Sequence, residues 1–359
     1  MNFNPKSIKI EESLKALNQP AFRLKQIEEA IYQKGLIHFK DLTTLPISLR
    51  DDLDVKFKDT LSLSVVKESI GEQSHKVLFE TKDGHQKIEA IRMTYLPNKK
   101  LGRNKAHYSL CISSQSGCAL ACTFCATGAI GLKKNLSAEE ITDQVLYFKQ
   151  KGLPIDSIVF MGMGEPFANP NVFDALKILT DPKYFGMSQR RISVSTVGII
   201  PGMERFIKEF PQMNLAFSLH SPFEDERLKI MPVTRSYPLK DCLQIVKKYV
   251  EETNNKVFIA YILLKGVNDT PRHAQGVVEL INKQGGGKKY LYHVNLIRFH
   301  PGSTLDNFDT PFEESVQKFK EIIEKGQITC TIRQSFGLDI DGACGQLYAE
   351  YQEKRIKLN

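Results

Sequence analysis

The spacing of apolar positions changes along the chain, and each spacing predicts a different kind of element. Residues 1–60 place Leu, Ile and Phe three or four positions apart, which is the spacing of amphipathic helices. Two apolar segments, 76–80 and 87–93, flank the Asp83–Gly84 dipeptide, a signal for a β-hairpin turn. The basic stretch 97–108, which contains Pro and Gly, predicts a solvated loop.

From about residue 107 onward, short apolar segments alternate with helical patterns. Ser137 and Glu140 form a capping box that begins the first of these helices. Repeated βα units imply parallel strands with helices outside, either a doubly wound sheet or a partial barrel. The predicted strands cover 109–113, 157–161, 191–195, 215–218, 257–263, 293–297 and 328–333, and later helices cover 172–179, 203–209, 239–251, 272–283 and 312–325.

This pattern predicts three domains in an α/β protein. Residues 1–95 form an accessory domain of helices and a hairpin, 96–310 form the repeated βα units, and 311–359 form a C-terminal extension of helix, strand and glycine-containing tail.

Composition and charge narrow the class of protein. Forty-nine Lys and Arg against 41 Asp and Glu leave a charge of +8, which suits a polyanion such as RNA but also fits proteins that bind none. The first residues lack the apolar segment of a secretory signal, and no apolar run approaches the ~20 residues of a membrane helix. We therefore expect a cytoplasmic protein without a membrane segment and with reduced cysteines.

Three of the seven cysteines, Cys118, Cys122 and Cys125, lie in the segment GCALACTFCATG. Thiolates suit soft metal ions and iron–sulfur clusters, and so short a loop can bind three corners of a [4Fe–4S] cubane. The fourth iron would then lack a protein ligand and could chelate an amino-carboxylate, such as the methionyl end of S-adenosylmethionine (SAM). The spacing therefore favours a cluster.

Two alternatives remain for this cysteine triplet. Structural zinc takes four protein ligands in two pairs, and no second pair is evident because His107 and His220 are isolated. Three unligated core cysteines are the other alternative, although a glycine-containing stretch lacks the periodicity of a core element. Cys242 and Cys330 do follow apolar periodicity, and we expect both to be small core residues.

Small and polar residues follow several of the predicted strands. The loop FMGMGEP places Gly162, Gly164 and Glu165 at a carboxyl end, where ligands bind in parallel α/β folds, and Glu165 could pair with the ammonium group of SAM. Taken singly, each such residue could simply cap a strand or turn. The other candidates are Ser195, Ser218, Leu219, His220 and Asn295.

The cysteine spacing, with Phe124 before the last cysteine, resembles the radical SAM superfamily. That resemblance implies a partial (βα)6 barrel and a 5′-deoxyadenosyl radical made from SAM at the cluster. Over essentially the whole chain, the sequence is similar to the RlmN/Cfr family of rRNA adenosine methyltransferases. The motifs that carry this similarity are CISSQSGCALACTFCATG, MGMGEP, FSLHSP, KIMPV and DIDGACGQL.

The family resemblance implies roles for two further cysteines and two SAM molecules per turnover. One SAM methylates Cys344, and the other yields the radical that activates this methyl group for addition to adenine. Cys111 then resolves the protein–RNA adduct through a disulfide bond, and Glu89 is the proton acceptor. Glu89 could instead be an exposed strand carboxylate. Gly342 departs from the family pattern, in which Ala is usual at this position.

The resemblance also implies the substrate and partners. By this resemblance, the SAM contacts are Gly164, Glu165, Ser195, Ser218, Leu219, His220 and Asn295. The implied substrate is an adenosine in the peptidyl transferase centre of 23S rRNA. The sequence is closest to the Cfr type, which methylates carbon 8 and confers antibiotic resistance. An RlmN-type carbon 2 enzyme, acting also on tRNA, is one alternative, and a basic RNA-binding module with a structural metal is another. We expect a monomer that accepts electrons from a flavodoxin or ferredoxin.

Basic residues in three segments could contact RNA phosphates. Each alone could be an ordinary surface charge. The candidates are Lys99, Lys100, Arg103, Lys105, Lys133, Lys134, Arg190 and Arg191.

Overall fold

The computed structural model describes residues 3–99, 102–301, 304 and 306–338. Lys100, Gly342 and Cys344 lie outside the described residues, as do the other residues of the tail from 339 to 359. Within the described ranges, no helix is both long enough and apolar enough to cross a membrane.

Helices make up most of residues 5–57, as the periodicity of this region predicts. Asn4 caps the first helix, because its Oδ1 accepts a hydrogen bond from the Lys6 N–H at 3.1 Å. The second helix continues into one wider turn over Glu29–Gln33. The helices are α1 (Pro5–Ala16), α2 (Phe22–Glu28) and α3 (Ile47–Phe57).

Within the described part of the chain, ten strands form one sheet, and β5 and β6, of two residues each, form a separate pair. The order in the large sheet is β1-β2-β3-β4-β7-β8-β9-β10-β11-β12, antiparallel up to β4 and parallel from β4 onward. The strands are β1 (Leu63–Ile70), β2 (Ser74–Thr81), β3 (Lys87–Tyr95), β4 (His107–Cys111), β5 (Gln115–Ser116), β6 (Lys134–Asn135), β7 (Ser157–Phe160), β8 (Ile192–Thr196), β9 (Asn214–Ser218), β10 (Val257–Leu263), β11 (Tyr292–Arg298) and β12 (Thr329–Ile332).

Helices follow the parallel strands, which confirms the βα alternation expected from sequence. The capping box is present: Ser137 Oγ accepts from the Glu140 N–H at 3.1 Å, and Glu140 Oε2 accepts from the Ser137 N–H at 2.9 Å. The helices are α4 (Ala126–Ala129), α5 (Ala138–Gln150), α6 (Asn171–Thr180), α7 (Ile200–Glu209), α8 (Glu224–Ile230), α9 (Leu239–Thr253), α10 (Pro271–Gly285) and α11 (Glu313–Lys325).

The parallel part of the sheet curls into a partial barrel. The Tyr95 ring at the end of β3 packs edge-on against Phe336, which follows β12, with centroids 4.6 Å apart. Gln334 Nε2 also donates to Gln73 Oε1 at 2.9 Å, so chain beyond β12 returns to the β1–β3 side. These contacts bring the two sides of the sheet together, and the fold class expected from the sequence is confirmed.

The sequence missed five of the strands and helices named above, which are β1, the two-residue strands β5 and β6, and the short helices α4 and α8. Strand β1 extends the predicted hairpin into a three-stranded unit, and β3 pairs with β4, so the hairpin is continuous with the barrel sheet. The short helices α4 and α8 are too brief to show an apolar period. The boundary predicted at residue 95 coincides with the end of β3, and the three-domain division stays a prediction.

A buried ion pair ties the N-terminal helices to the barrel. Lys6 of α1 places Nζ 2.6 Å from Asp143 Oδ1 of α5, and the other carboxylate oxygen accepts from the Ser62 N–H and Oγ at 2.6 and 2.8 Å. Lys6 also donates to the Thr60 carbonyl. Both charged side chains are almost completely buried, so each depends on the other for compensation.

We expect Asp143→Ala to lower the free energy of unfolding by about 3–5 kcal/mol, because it leaves the Lys6 ammonium buried without its counter-charge. Denaturant unfolding would measure the loss. Glu252→Ala is the control: Glu252 pairs with Lys248 at 4.0 Å on the surface, and its removal should cost about 0–1 kcal/mol. Equal losses in the two variants would contradict a structural role for the buried pair.

Candidate active site

The loop that carries the three clustered cysteines follows β5 and is held at both ends. Gly117 has φ +73°, and a Cβ there would lie 1.8 Å from the Gly131 carbonyl oxygen, so this position requires glycine. The Cys125 N–H donates to the Cys122 carbonyl at 3.0 Å, which closes a tight turn. The Thr123 N–H donates to the Ile230 carbonyl at the end of α8, also at 3.0 Å. The loop is therefore fixed onto α8.

All three cysteines line one cavity of about 170 Å³ at the carboxyl ends of the barrel strands. Burial raises the pKa of the Cys118 thiol to about 12, and it also raises the pKa of Cys122 well above its usual value. Metal binding would displace these protons, since the thiolate is the ligand. Among the described residues, no three His, Cys, Asp or Glu side chains converge on a point suited to one metal ion. Cysteine thiols that are this far apart still suit a cubane cluster, because each thiolate binds a different iron.

Glu165 is placed in the same cavity by an unusually close backbone approach. Gly164 has φ +92°, and a Cβ there would lie 2.4 Å from the Cβ of Gln115, so the loop requires glycine at this position. The Gln115 side-chain oxygen accepts from the Glu165 N–H at 2.8 Å. The Glu165 carboxylate accepts from the N–H groups of Phe167 and Val197 at 3.1 and 3.0 Å. Burial raises its pKa to about 7. The carboxylate retains acceptor capacity for an ammonium group.

Three polar residues from neighbouring strand ends complete the lining. Ser195 lies on β8 and Ser218 is the last residue of β9, and both line the cavity. His220 lies just beyond β9 and has φ +56°. The Ile262 N–H donates to His220 Nδ1 at 3.0 Å, so a neutral ring carries its proton on Nε2. Burial, then the nearby Arg227 charge, lowers the pKa of His220 to about 3. His220 is therefore a neutral hydrogen-bond donor in this cavity.

Leu219 and Asn295 lie apart from this lining. The Leu219 side chain is fully buried, and its N–H donates to the Ala260 carbonyl at 3.0 Å. Asn295 lines a second cavity of about 320 Å³, where its Oδ1 accepts from Thr331 Oγ1 at 2.6 Å. Met161 and Arg333 line both cavities, so the two spaces adjoin inside the barrel.

Cys111 and Glu89 lie on the inner side of the sheet, one strand apart. Cys111 at the end of β4 is buried and stands in register with Ile91 and with Val159, which lines the second cavity. Glu89 is on the same face of β3 as Ile91, two residues away. It is buried, and Lys76 Nζ lies 3.4 Å from its Oε1. The alternative interpretation of Glu89 as an exposed carboxylate is therefore wrong.

The remaining residues singled out from sequence fall into two groups. Cys242 and Cys330 are buried in the core, as expected, and the six described cysteines are all free thiols. Lys134 is only half-exposed because it binds Asp83 and Glu140, so it is less available to a phosphate than its neighbours. The exposed basic candidates are Lys99, Lys105, Lys133, Arg190 and Arg191, while Arg103 is half-buried beside the second cavity.

Sequence reasoning missed Gln115 and Arg227. Gln115 orients the Glu165 backbone, and Arg227 is a fully buried cation whose four hydrogen bonds end on the strand-end segments of this site and on Thr234. Neither residue belongs to an apolar periodicity or to a motif with fixed spacing. The one available signal was that Arg227 lies two residues before the family motif KIMPV, which begins at Lys229.

Comparisons with known proteins agree with this geometry. Residues 112–274 match the model of the radical SAM superfamily. The chain is 47% identical to "Ribosomal RNA large subunit methyltransferase Cfr" of Shouchella clausii, over 99% of each chain. The protein of that name from Staphylococcus aureus is also 47% identical, over 99% of this chain and all of its own. This chain belongs to the Cfr family. It is accordingly a radical SAM methyltransferase.

A solved structure supports the same assignment of fold. A radical SAM methyltransferase from Sphaerobacter thermophilus superposes with a TM-score of 0.86 at 35% identity, covering 97% of this chain and 98% of its own. Radical SAM enzymes of the Cfr family use a [4Fe–4S] cluster and SAM. The cavity described above offers this cofactor pair three thiols and, beside them, a buried carboxylate.

Proposed function

We propose that this enzyme methylates carbon 8 of an adenosine in the peptidyl transferase centre of 23S rRNA and so confers resistance to ribosome-targeting antibiotics. The observation that carries this proposal is the 47% identity, across 99% of the chain, to proteins named as ribosomal RNA large subunit methyltransferases of the Cfr type. Their name specifies the RNA. The carbon 8 assignment rests on the resemblance to Cfr rather than RlmN sequences.

Within this proposal, Cys118, Cys122 and Cys125 hold the cluster and leave one iron for SAM. Glu165 pairs with the SAM ammonium, and its buried carboxylate in the cavity of the cysteines supports this role. The bound cluster and SAM supply a 5′-deoxyadenosyl radical. The other SAM contacts are Gly164, Ser195, Ser218, Leu219, His220 and Asn295, of which Leu219 can contribute backbone only, since its side chain is buried.

Two cysteines act in turn in the proposed methyl transfer, first Cys344 and then Cys111. The SAM methyl group is electrophilic, and so is the amidine carbon of adenine. Direct transfer therefore lacks a nucleophile. The Cys344 thiolate would take the methyl group of one SAM. The radical supplied by a second SAM would remove a hydrogen atom from that methyl group, and the resulting methylene radical, still bound to the Cys344 sulfur, would bond to the adenine ring. Covalent catalysis splits the difficult step in this way.

Cys111 and Glu89 complete the reaction in this scheme. Glu89 would take the proton from the substituted ring carbon as the adduct gives up one electron, which restores the electron spent in forming the radical. The Cys111 thiolate would then attack the Cys344 sulfur, which forms a disulfide bond and breaks the bond from that sulfur to the methylene carbon. Protonation of this carbon completes the methyl group and releases methylated RNA. The positions of Cys111 and Glu89 on adjacent strands of the inner face support this division of roles. Lys76, 3.4 Å from Glu89, supplies a counter-charge for the carboxylate.

We also propose the cellular context that this chemistry requires. The exposed basic residues position 23S rRNA through its phosphates, and a flavodoxin or ferredoxin supplies electrons. The protein acts as a cytoplasmic monomer with an N-terminal accessory domain to residue 95, a barrel to residue 310 and a C-terminal extension. The excess of basic residues supports an RNA partner.

The carbon 8 assignment predicts a specific isotope pattern. An rRNA fragment deuterated at carbon 8 of the target adenosine should lose its deuterium on methylation, because that hydrogen is replaced by the methyl group. A fragment deuterated at carbon 2 should keep its label. Mass spectrometry of the methylated nucleoside reads both results. The reverse pattern would identify an RlmN-type carbon 2 enzyme, and methylation of neither fragment would refute rRNA adenosine methylation at these carbons.

A further inference from the structure

Arg227 is a completely buried cation in the middle of α8. Its Nε donates to the Leu219 carbonyl at 3.1 Å, and one terminal nitrogen donates to the carbonyls of Val197 and Ser218 at 2.6 and 3.1 Å. The other terminal nitrogen donates to Thr234 Oγ1 at 2.6 Å. All four acceptors are neutral oxygens. Across the described ranges, no carboxylate forms an ion pair with this guanidinium.

A buried charge is expensive unless a charge of opposite sign compensates it. Neutral carbonyls solvate Arg227 but cannot neutralise it. Glu224, a carboxylate whose charge acts on Arg227, uses both oxygens to accept from the Leu239 N–H at 3.0 Å. Among the residues that the structure describes, Arg227 therefore has no carboxylate bonded to its guanidinium, and its positive charge suits an anionic group nearby.

The cysteine loop lies directly against the helix that carries Arg227. The Thr123 N–H, between two of the cysteines, binds the carbonyl of Ile230, one turn after Arg227. The Phe124 ring packs edge-on against His220, with centroids 5.1 Å apart. One Arg227 nitrogen donates to the carbonyl of Ser218, and Ser218 lines the cavity together with the three cysteines. Burial, and then the positive charge of Arg227, lowers the pKa of His220, which lines the same cavity. The charge of Arg227 therefore acts beside the cavity lining.

We propose that Arg227 is a positioning residue whose charge stabilises the reduced state of the iron–sulfur cluster held by Cys118, Cys122 and Cys125. Reduction adds one electron, from an external low-potential donor such as dithionite or a ferredoxin, and no proton or bond change accompanies it. The thiolate-ligated cluster becomes more negative by one charge, so a fixed buried cation favours the reduced form and raises the reduction potential.

The same contacts give Arg227 a second, structural effect. Its guanidinium joins the carboxyl ends of β8 and β9, where Ser195, Ser218 and His220 lie. Loss of the side chain would disturb this lining as well as remove a charge. A useful test must therefore separate the charge from the hydrogen bonds.

Thr234 offers that separation without removing the arginine. Thr234→Asp introduces a carboxylate beside the guanidinium, while Thr234→Asn introduces a neutral group of the same shape. We expect the Asp variant to lower the ratio of reduced to oxidised cluster at a fixed potential by at least tenfold, which is about 59 mV for one electron. The Asn variant should match the unsubstituted protein. Potentiometric titration of the reconstituted full-length protein, followed by electron paramagnetic resonance, measures the ratio.

Direct substitutions extend the test. Arg227→Lys keeps the charge and should retain a potential close to that of the unsubstituted protein, whereas Arg227→Gln should lower it as Thr234→Asp does. Arg92→Gln is a matched control, because Arg92 is a buried arginine that binds the Pro154 carbonyl near the opposite ends of the strands. Its potential should not change.

Equal potentials for Thr234→Asp and Thr234→Asn would overturn the proposal, as would a Lys variant as low as the Gln variant. The proposal rests on the cluster assigned under the proposed function and not on the RNA target. Iron and sulfide analysis distinguishes the two failures, because a protein that never takes up four irons refutes the cluster itself. A carbon 2 product in the deuterium experiment would leave the role of Arg227 unaffected.

Discussion

Replacing any one of Cys118, Cys122 and Cys125 by Ala should abolish SAM cleavage and the visible absorbance of the iron–sulfur cluster. In the proposed site each of these thiolates binds one iron and the fourth iron is left for SAM, so two cysteines cannot substitute for three. We expect iron and sulfide content to fall well below four per chain after anaerobic reconstitution. Release of 5′-deoxyadenosine should fall to the level of protein without iron.

Cys330→Ala is the matched control for this experiment. Cys330 is a buried thiol on β12 that packs in the core, so its loss should cost some stability but leave iron content and SAM cleavage intact. A cluster-cysteine variant that retained four irons and cleaved SAM would end the radical SAM assignment of these residues. A zinc site in the unsubstituted protein would be equally decisive, and the same metal analysis detects it.

The second large effect separates Cys344 from Cys111 by the stage at which each acts. In the proposed mechanism Cys344 carries the methyl group, so Cys344→Ala should form no methylated protein, no covalent RNA adduct and no methylated RNA. Cys111 acts later in the same scheme, so Cys111→Ala should still accept a methyl group on Cys344 and still attach it to adenine. It should then stall as protein bound covalently to RNA, because no thiolate remains to break the bridge.

Denaturing gels with labelled RNA distinguish these outcomes directly. The Cys111→Ala protein should accumulate a slowly migrating band that contains both protein and RNA, and protease treatment should convert it to free RNA with a residual peptide. Cys242→Ala serves as a core-cysteine control and should turn over without the band. Normal turnover by Cys111→Ala, or the adduct appearing instead in Cys344→Ala, would show that the two roles are assigned wrongly.

Local sequence patterns were sufficient for most of the fold. The helix from Ser137 was predicted because its cap and its apolar stripe, Ile141, Val145 and Phe148, lie within a dozen residues. The strand at Val257–Leu263 was predicted from one continuous apolar run. Strand β1 was missed, because its exposed face and its bulge near Val65 and Lys67 disrupt the alternation.

The cysteine triplet could also be interpreted from sequence alone, because the three ligands share one short loop. Spacing along the chain then limits their separation in space, whatever the rest of the fold does. The same holds for Gly164 and Glu165, whose adjacency places a carboxylate beside a position that only glycine tolerates. For such residues, a short separation along the sequence ensures a short separation in space.

Tertiary structure decided the features that depend on residues far apart in sequence. Only the pairing of β2 with β3 shows that Glu89 is buried beside Lys76, and only the fold places Asn295 in a second cavity next to the first. Arg227 is the clearest case, since a lone arginine in a polar segment predicts a surface charge. Its burial follows from carbonyls at the ends of two separate strands, which converge on one guanidinium after the barrel has formed.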